Sequence, residues 1–132
     1  MGTSLIIQKN LILKSLSGSK ALTIPNVASE VMNIQGANQV QLLIGFTKGN
    51  SAGCRLKIEF SEDQATWYQE SMVSAFPVEN EVESKLVMRR INETGNYVIS
   101  IPVSASYLKV SAQAIDSGDG TFLSITATAA NI

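Results

Sequence analysis

Four stretches of this chain alternate apolar and polar residues with a period of two, and that alternation constrains the fold more than any other feature. In the first, Val40, Leu42, Ile44 and Phe46 fall on one side of an extended run. In the second, Cys54, Leu56, Ile58 and Phe60 alternate with Arg55, Lys57 and Glu59. Leu108, Val110, Ala112 and Ala114 alternate with Lys109, Ser111 and Gln113, and Leu123, Ile125, Ala127 and Ala129 with Ser124, Thr126 and Thr128. Each reads as a half-buried strand, and a slip of one residue would turn its whole apolar set to water, so the register is well specified. Gly, Asn, Asp and Ser clusters punctuate the runs: Ser17-Gly18-Ser19, Lys48 to Gly53, Asn92 to Asn96 and Asp116 to Gly120. The second and last of these are expected to close hairpins. Pro25, Pro77 and Pro102 fall near strand ends, where a missing donor costs least. The count comes to roughly eight to ten short strands, spaced as in sandwiches and jelly rolls. The expected fold is all-β, an antiparallel β-sandwich of jelly-roll type with at most one short helix, around Ala28 to Ile34.

The 132 residues suit one domain spanning 1–132, with 1–16 as an oligomerisation arm or edge strand. Charged residues make up only 16%, against about a quarter in an average globular chain. Ser, Thr, Asn and Gln carry the polar balance instead. Such a surface suits burial against other protein, where charge is costly to desolvate. The net charge is −1, from 10 basic and 11 acidic residues, and Arg89-Arg90 is the longest basic run. Nucleic acid is therefore not an expected partner. No apolar run approaches the roughly 20 residues that cross a bilayer as a helix, and no basic-then-apolar leader opens the sequence, so neither a membrane nor classical secretion is expected.

With no histidine, the chain has neither a Ser-His-Asp triad nor His-ligated zinc, iron or copper. Cys54 is the single cysteine, so no internal disulfide or thiolate cluster forms, and its place on the apolar side of a strand makes it a small core residue. Gly45 to Asn50 lacks the spacing of a phosphate-binding loop. Among the carboxylates, Glu79, Glu81 and Glu83 are expected on one strand face, as a charged edge that blocks strand addition rather than an acid pair for catalysis. Asp116 and Asp119 are candidate Ca²⁺ ligands, but their loop lacks the further carboxylates of a calcium loop and its turn chemistry explains it without a metal. Trp67 and Tyr68 would stack on a sugar ring if exposed; the competing expectation puts Trp67 over the core at a strand start. No cofactor and no enzymatic activity are expected.

Two regions are more apolar than a half-buried strand needs: Leu5, Ile6 and Ile7 with Leu11, Ile12 and Leu13, and the Ala/Thr-rich tail from Thr126 to Ile132. Either is a central strand or a surface that docks on a neighbouring subunit.

The segment Leu56 to Tyr68 is an alternating strand followed by Ser61-Glu62-Asp63 and then Trp67. It resembles a recurrent hairpin of small β-sandwich virion proteins of tailed bacteriophages, and is also similar to one in discoidin-like carbohydrate-binding domains. Ile101 to Val110, with Pro102, Tyr107 and Lys109, resembles the strand start that follows in both groups. The Gly118-Asp119-Gly120-Thr121 loop and its Thr/Ala-rich strand look more like the phage proteins. Gln64 departs from the pattern, standing where those families have Gly. The resemblance covers about a third of the chain. It implies a head decoration, fibre or tail component in the virion, assembled in the host cytoplasm as a homo-oligomer, a trimer by analogy, and contacting other capsid or tail proteins. The carbohydrate resemblance implies a glycan at Trp67 and Tyr68.

Overall fold

The computed structural model describes residues 22–24 and 26–131, and the backbone of 6–10. Among these residues it holds twelve strands and no helix. One sheet has the order β1-β12-β4-β10, formed by Ile6–Asn10, Phe122–Ala130, Gln39–Thr47 and Gly95–Pro102. The other has the order β2-β11-β5-β6, formed by Val27–Ala28, Tyr107–Ala114, Cys54–Ser61 and Tyr68–Gln69. β3 (Met32–Asn33) also pairs with β11, and β9 (Arg89–Ile91) with β5. β7 (Ser71–Ala75) and β8 (Val82–Leu86) form a two-stranded ribbon of their own.

The four alternating runs become β4, β5, β11 and β12, and their apolar sets meet between the sheets. Val40, Leu42, Ile44 and Phe46 on one side, and Cys54, Leu56, Ile58, Leu108 and Val110 on the other, are buried. Ile125, Ala127 and Ala129 complete the layer, and Tyr97, Ile99 and Ile101 of β10 pack on its rim. Full burial of a Leu or Ile side chain is worth roughly 1.5–3 kcal/mol, so this layer dominates the stability of the fold.

The structure corrects the two expected hairpins. The turn after β4 leads to β5 in the opposite sheet, and the loop after β11 leads to β12 in the opposite sheet. Both are arches over the end of the sandwich, and β9–β10 makes a third. The arches lock together: Asn50 N–H donates to the Asp119 carbonyl at 2.9 Å, and Thr121 Oγ1 donates to the Lys48 carbonyl at 2.7 Å. Lys48 N–H in turn donates to Thr94 Oγ1 at 2.9 Å. At the crossing Gly49 has φ 59° and lies against Gly120 so closely that a Cβ would strike its backbone.

The one helical candidate, around Ala28 to Ile34, is not a helix: β2 and β3 take its place. Ser29 decides this locally. Its N–H donates to the Val110 carbonyl at 2.7 Å while its buried Oγ accepts from Val110 N–H at 3.0 Å, tying the segment to β11 as edge structure. Tertiary pairing overrides the local helical pattern.

Candidate functional site

The outer edge of β5 is shared by two short strands. β6 pairs with its end (Glu59↔Gln69, Phe60↔Tyr68) and β9 with its beginning (Cys54↔Ile91, Leu56↔Arg89). Between them the chain leaves the sheet as the β7–β8 ribbon, an arm in register from Ser71↔Leu86 to Ala75↔Val82. Its root is clamped. Glu70 N–H donates to the Ile58 carbonyl at 3.1 Å and Val87 N–H to the Glu70 carbonyl at 3.0 Å. Arg89 grips the Glu70 carboxylate with two hydrogen bonds, of 3.0 and 2.9 Å, a bidentate geometry that fixes orientation as well as adding attraction. The tip turns at Asn80, with φ 66°, a left-handed conformation that Asn tolerates better than most residues.

Directly opposed residues share a face of an antiparallel ribbon. Val73, Ala75, Val82 and Leu86, with Ser71 and Ser84, therefore form one face of the arm, and Met72, Ser74, Glu83 and Lys85 the other. The second face carries an ion pair, Lys85 to Glu83 at 3.7 Å. The first carries no charge, and its Val73, Val82 and Leu86 are 60%, 68% and 70% exposed. Phe76 and Val78 continue the apolar exposure at the tip. A two-stranded ribbon buried on neither side is marginal in water, and contiguous apolar exposure of this kind marks an interaction surface.

The two outer faces of the sandwich differ sharply. On the six-stranded sheet, β5 presents Arg55, Lys57 and Glu59 and β11 presents Lys109, with Arg90 of β9 opposite Arg55. Lys57 Nζ lies 3.7 Å from Glu59, and Lys109 Nζ sits 4.2 Å from the centre of the Trp67 ring. On the four-stranded sheet the outward residues of β4 are Gln39, Gln41, Leu43, Gly45 and Thr47. Those of β10 are Asn96, Val98, Ser100 and Pro102, and those of β12 are Phe122, Ser124, Thr126, Thr128 and Ala130. None is charged. Val98 is 61% exposed beside Leu43. Gly45 floors a shallow hollow of about 370 Å³ between Asn96 and Ser124, bordered by Leu43, Val98 and Thr126. Depletion of charge with scattered large apolar groups is the composition of an interface core.

The residues singled out from the sequence do not come together at one place. Trp67 is half-buried, but it lies beneath Lys109 on the charged face rather than over the core; Tyr68 is 65% exposed on the adjacent short strand. Asp116 is a loop pin: Ala52 N–H donates to its Oδ1 at 2.8 Å, and this bond holds its carboxyl below the ordinary value. Asp119 offers its carbonyl to Asn50, and among the described residues no group of three His, Cys, Asp or Glu comes together. Ile6 and Ile7 lie on β1, whose backbone pairs with β12 opposite Ala130 and Ala129, whereas Leu5, Leu11, Ile12, Leu13 and the Ser17-Gly18-Ser19 turn lie outside the described residues. Of the three aligned glutamates, only Glu83 belongs to a strand; Glu79 and Glu81 stand in the arm's tip. Cys54 is buried, and burial pushes its thiol up to about 11, so it stays protonated at neutral pH.

Gln64 shows how the Gly-less turn is made. It adopts φ 62°, held by its N–H to Ser61 Oγ at 2.9 Å, while Asp63 Oδ1 accepts the N–H groups of Ala65 and Thr66 at 2.9 Å each. The arm is the feature that sequence reasoning missed. Its signal is an apolar stretch, Met72 to Val78, that breaks the inward alternation on either side of it.

A two-layer antiparallel sandwich with interlocked arches and one projecting ribbon is therefore the class of molecule. No protein-family model and no curated protein matches the chain. The crystal structure of SPBc2 prophage-derived protein YomS shares the fold: TM-score 0.53 over 99% of this chain and 97% of that one, at 8% identity. A cleaved adhesin domain of Lys-gingipain from Porphyromonas gingivalis aligns over 98% of both chains with TM-score 0.43 and 10% identity.

Proposed function

We propose that this chain is a non-enzymatic structural protein of a bacteriophage particle, a capsid decoration or head or tail accessory, acting through self-assembly and contacts with other particle proteins. The observation that carries the reading is the uncharged outer face of the four-stranded sheet, together with an arm whose apolar side stands in water. A protein that worked alone would gain nothing from either. The shared fold with a prophage-derived protein supports the phage setting, and the sequence, with no histidine and one buried cysteine, offers little for catalysis. The test is to purify particles of the phage that encodes the chain and quantify the protein in them by mass spectrometry. It should copurify at a fixed copy number per particle; its loss from washed, banded particles would contradict the proposal.

A second reading, a carbohydrate-binding module, is favoured by one observation: the exposed Tyr68 ring beside Trp67. Under it, Tyr68→Ala would abolish a glycan-array signal without changing the unfolding midpoint.

A further inference from the structure

We infer that the apolar face of the β7–β8 arm docks on the uncharged outer face of the four-stranded sheet of a second copy, so that copies join head to tail. The inference rests on the self-assembly half of the reading above and names the two surfaces that meet.

Charge selects the pair. The arm's free face, Val73, Ala75, Val82 and Leu86 with two serines, has no ionisable group. Against the six-stranded sheet it would strip water from Arg55, Lys109 and the Lys57–Glu59 pair and offer none of them a new partner, which is costly. Against the four-stranded sheet it meets Leu43, Val98 and Phe122 set among amides and hydroxyls, and no charge is desolvated. Shape agrees. The sheet face has only a shallow hollow, between Asn96 and Ser124 and bordered by Leu43, Val98 and Thr126, so the ribbon's flat apolar face can lie across it.

Use of both surfaces separates this arrangement from its rival, in which two arms stack face to face. The exposed apolar groups of one arm, from Val73 to Leu86, offer roughly 500 Å², on the scale of the largest patches on ordinary monomers. Stacking two arms buries about 1,000 Å² in total, the lower limit for a specific interface, and leaves the uncharged sheet in water. Docking arm on sheet uses both surfaces of every copy. In a closed ring each copy makes two such contacts, each of about 500 Å² per partner, so closure of the ring adds up what a single contact of this size lacks. A head-to-tail contact closes into a ring when its rotation allows, and a trimer is one such ring.

The test is light scattering after size exclusion on the full chain across a wide concentration range. The arm variant is Val82→Asp with Leu86→Asp, and the face variant is Val98→Asp. All three positions are more than half exposed, so far-ultraviolet dichroism and the unfolding midpoint should stay at wild-type values. The wild type should form an oligomer of the 14.1 kDa chain, and each variant alone should be a monomer. An equimolar mixture should double the monomer mass, because one intact arm then meets one intact face. A face variant that keeps the wild-type oligomer would overturn the inference and leave self-assembly standing, as would two monomeric variants that fail to combine. A wild type that stays monomeric at every concentration would overturn self-assembly as well.

Discussion

The two outer faces of this sandwich are built on one core, yet they are chemically opposite. On the six-stranded sheet, β5 and β11 alternate Leu, Ile and Val inward with Arg, Lys and Glu outward, and Lys109 even covers the one tryptophan. That is a face made for water. On the four-stranded sheet, β4, β10 and β12 put the same kinds of residue inward but only amides, hydroxyls and apolar groups outward. Burial in the core is identical in kind, so the difference owes nothing to folding. Under the proposed function the bare face is where the molecule meets protein rather than solvent, and it fits the low share of charged residues, 16%.

The largest expected effects lie in the shared core. Leu42→Ala on β4 and Ile58→Ala on β5 both empty fully buried sites, and each should lower the unfolding free energy by about 2–5 kcal/mol in a denaturant titration. Similar losses from the two sheets would confirm a common core; a small loss from one would separate them. Salt separates the two faces by a smaller effect. Surface ion pairs weaken as salt rises, but an interface without charges should hold its association constant within about twofold from low to moderate salt. A steep decline would move the interface to the charged face.

Smaller effects lie in the loops. Gln64→Gly should raise the unfolding free energy by about 0.5 kcal/mol, because a side chain at φ 62° costs more than the extra freedom glycine loses on folding. Association should be untouched, since this turn belongs to the charged sheet. The smallest effect is the pH response. Asp63 and Asp116 both lie below their ordinary 3.8, Asp63 through the N–H groups of Thr66 and Ala65 and the Ser61 hydroxyl, Asp116 through Ala52 N–H. A carboxylate depressed in the folded state adds stability above its unfolded value and loses it as pH falls through the folded one. Thermal midpoints should therefore be flat above pH 5 and fall below about pH 4; Asp116→Asn should shrink that fall.

The core was legible in the sequence because each of its strands buries one face only. Strict alternation then names the inward set, and Val40 to Phe46 and Leu108 to Ala114 are buried as the pattern implies. The pairing of strands was not legible in the same way. The residues Lys48 to Gly53 and Asp116 to Gly120 reverse the chain, but turn chemistry reports a reversal without saying whether the next strand joins the same sheet or the facing one. Here both cross over. The arm escaped because its strands bury neither face: Met72, Val73 and Val82 are apolar where alternation expects a core that is absent. The sequence left Trp67 open between core and surface for a related reason. An aromatic at a strand start can pack inward or under a long cation, and the sequence does not show that Lys109 lies opposite. The bare face needed the register of β4 with β10 and β12, which puts fourteen uncharged positions side by side.

Amide hydrogen exchange of the full chain at high and low protein concentration tests whether the arm and the bare face are the surfaces of assembly. A lone two-stranded ribbon exchanges quickly. Amides of 71–86 and of the four-stranded sheet should therefore slow together as concentration rises, while those of the charged sheet keep one rate throughout. An arm that exchanges equally fast at every concentration would contradict the account.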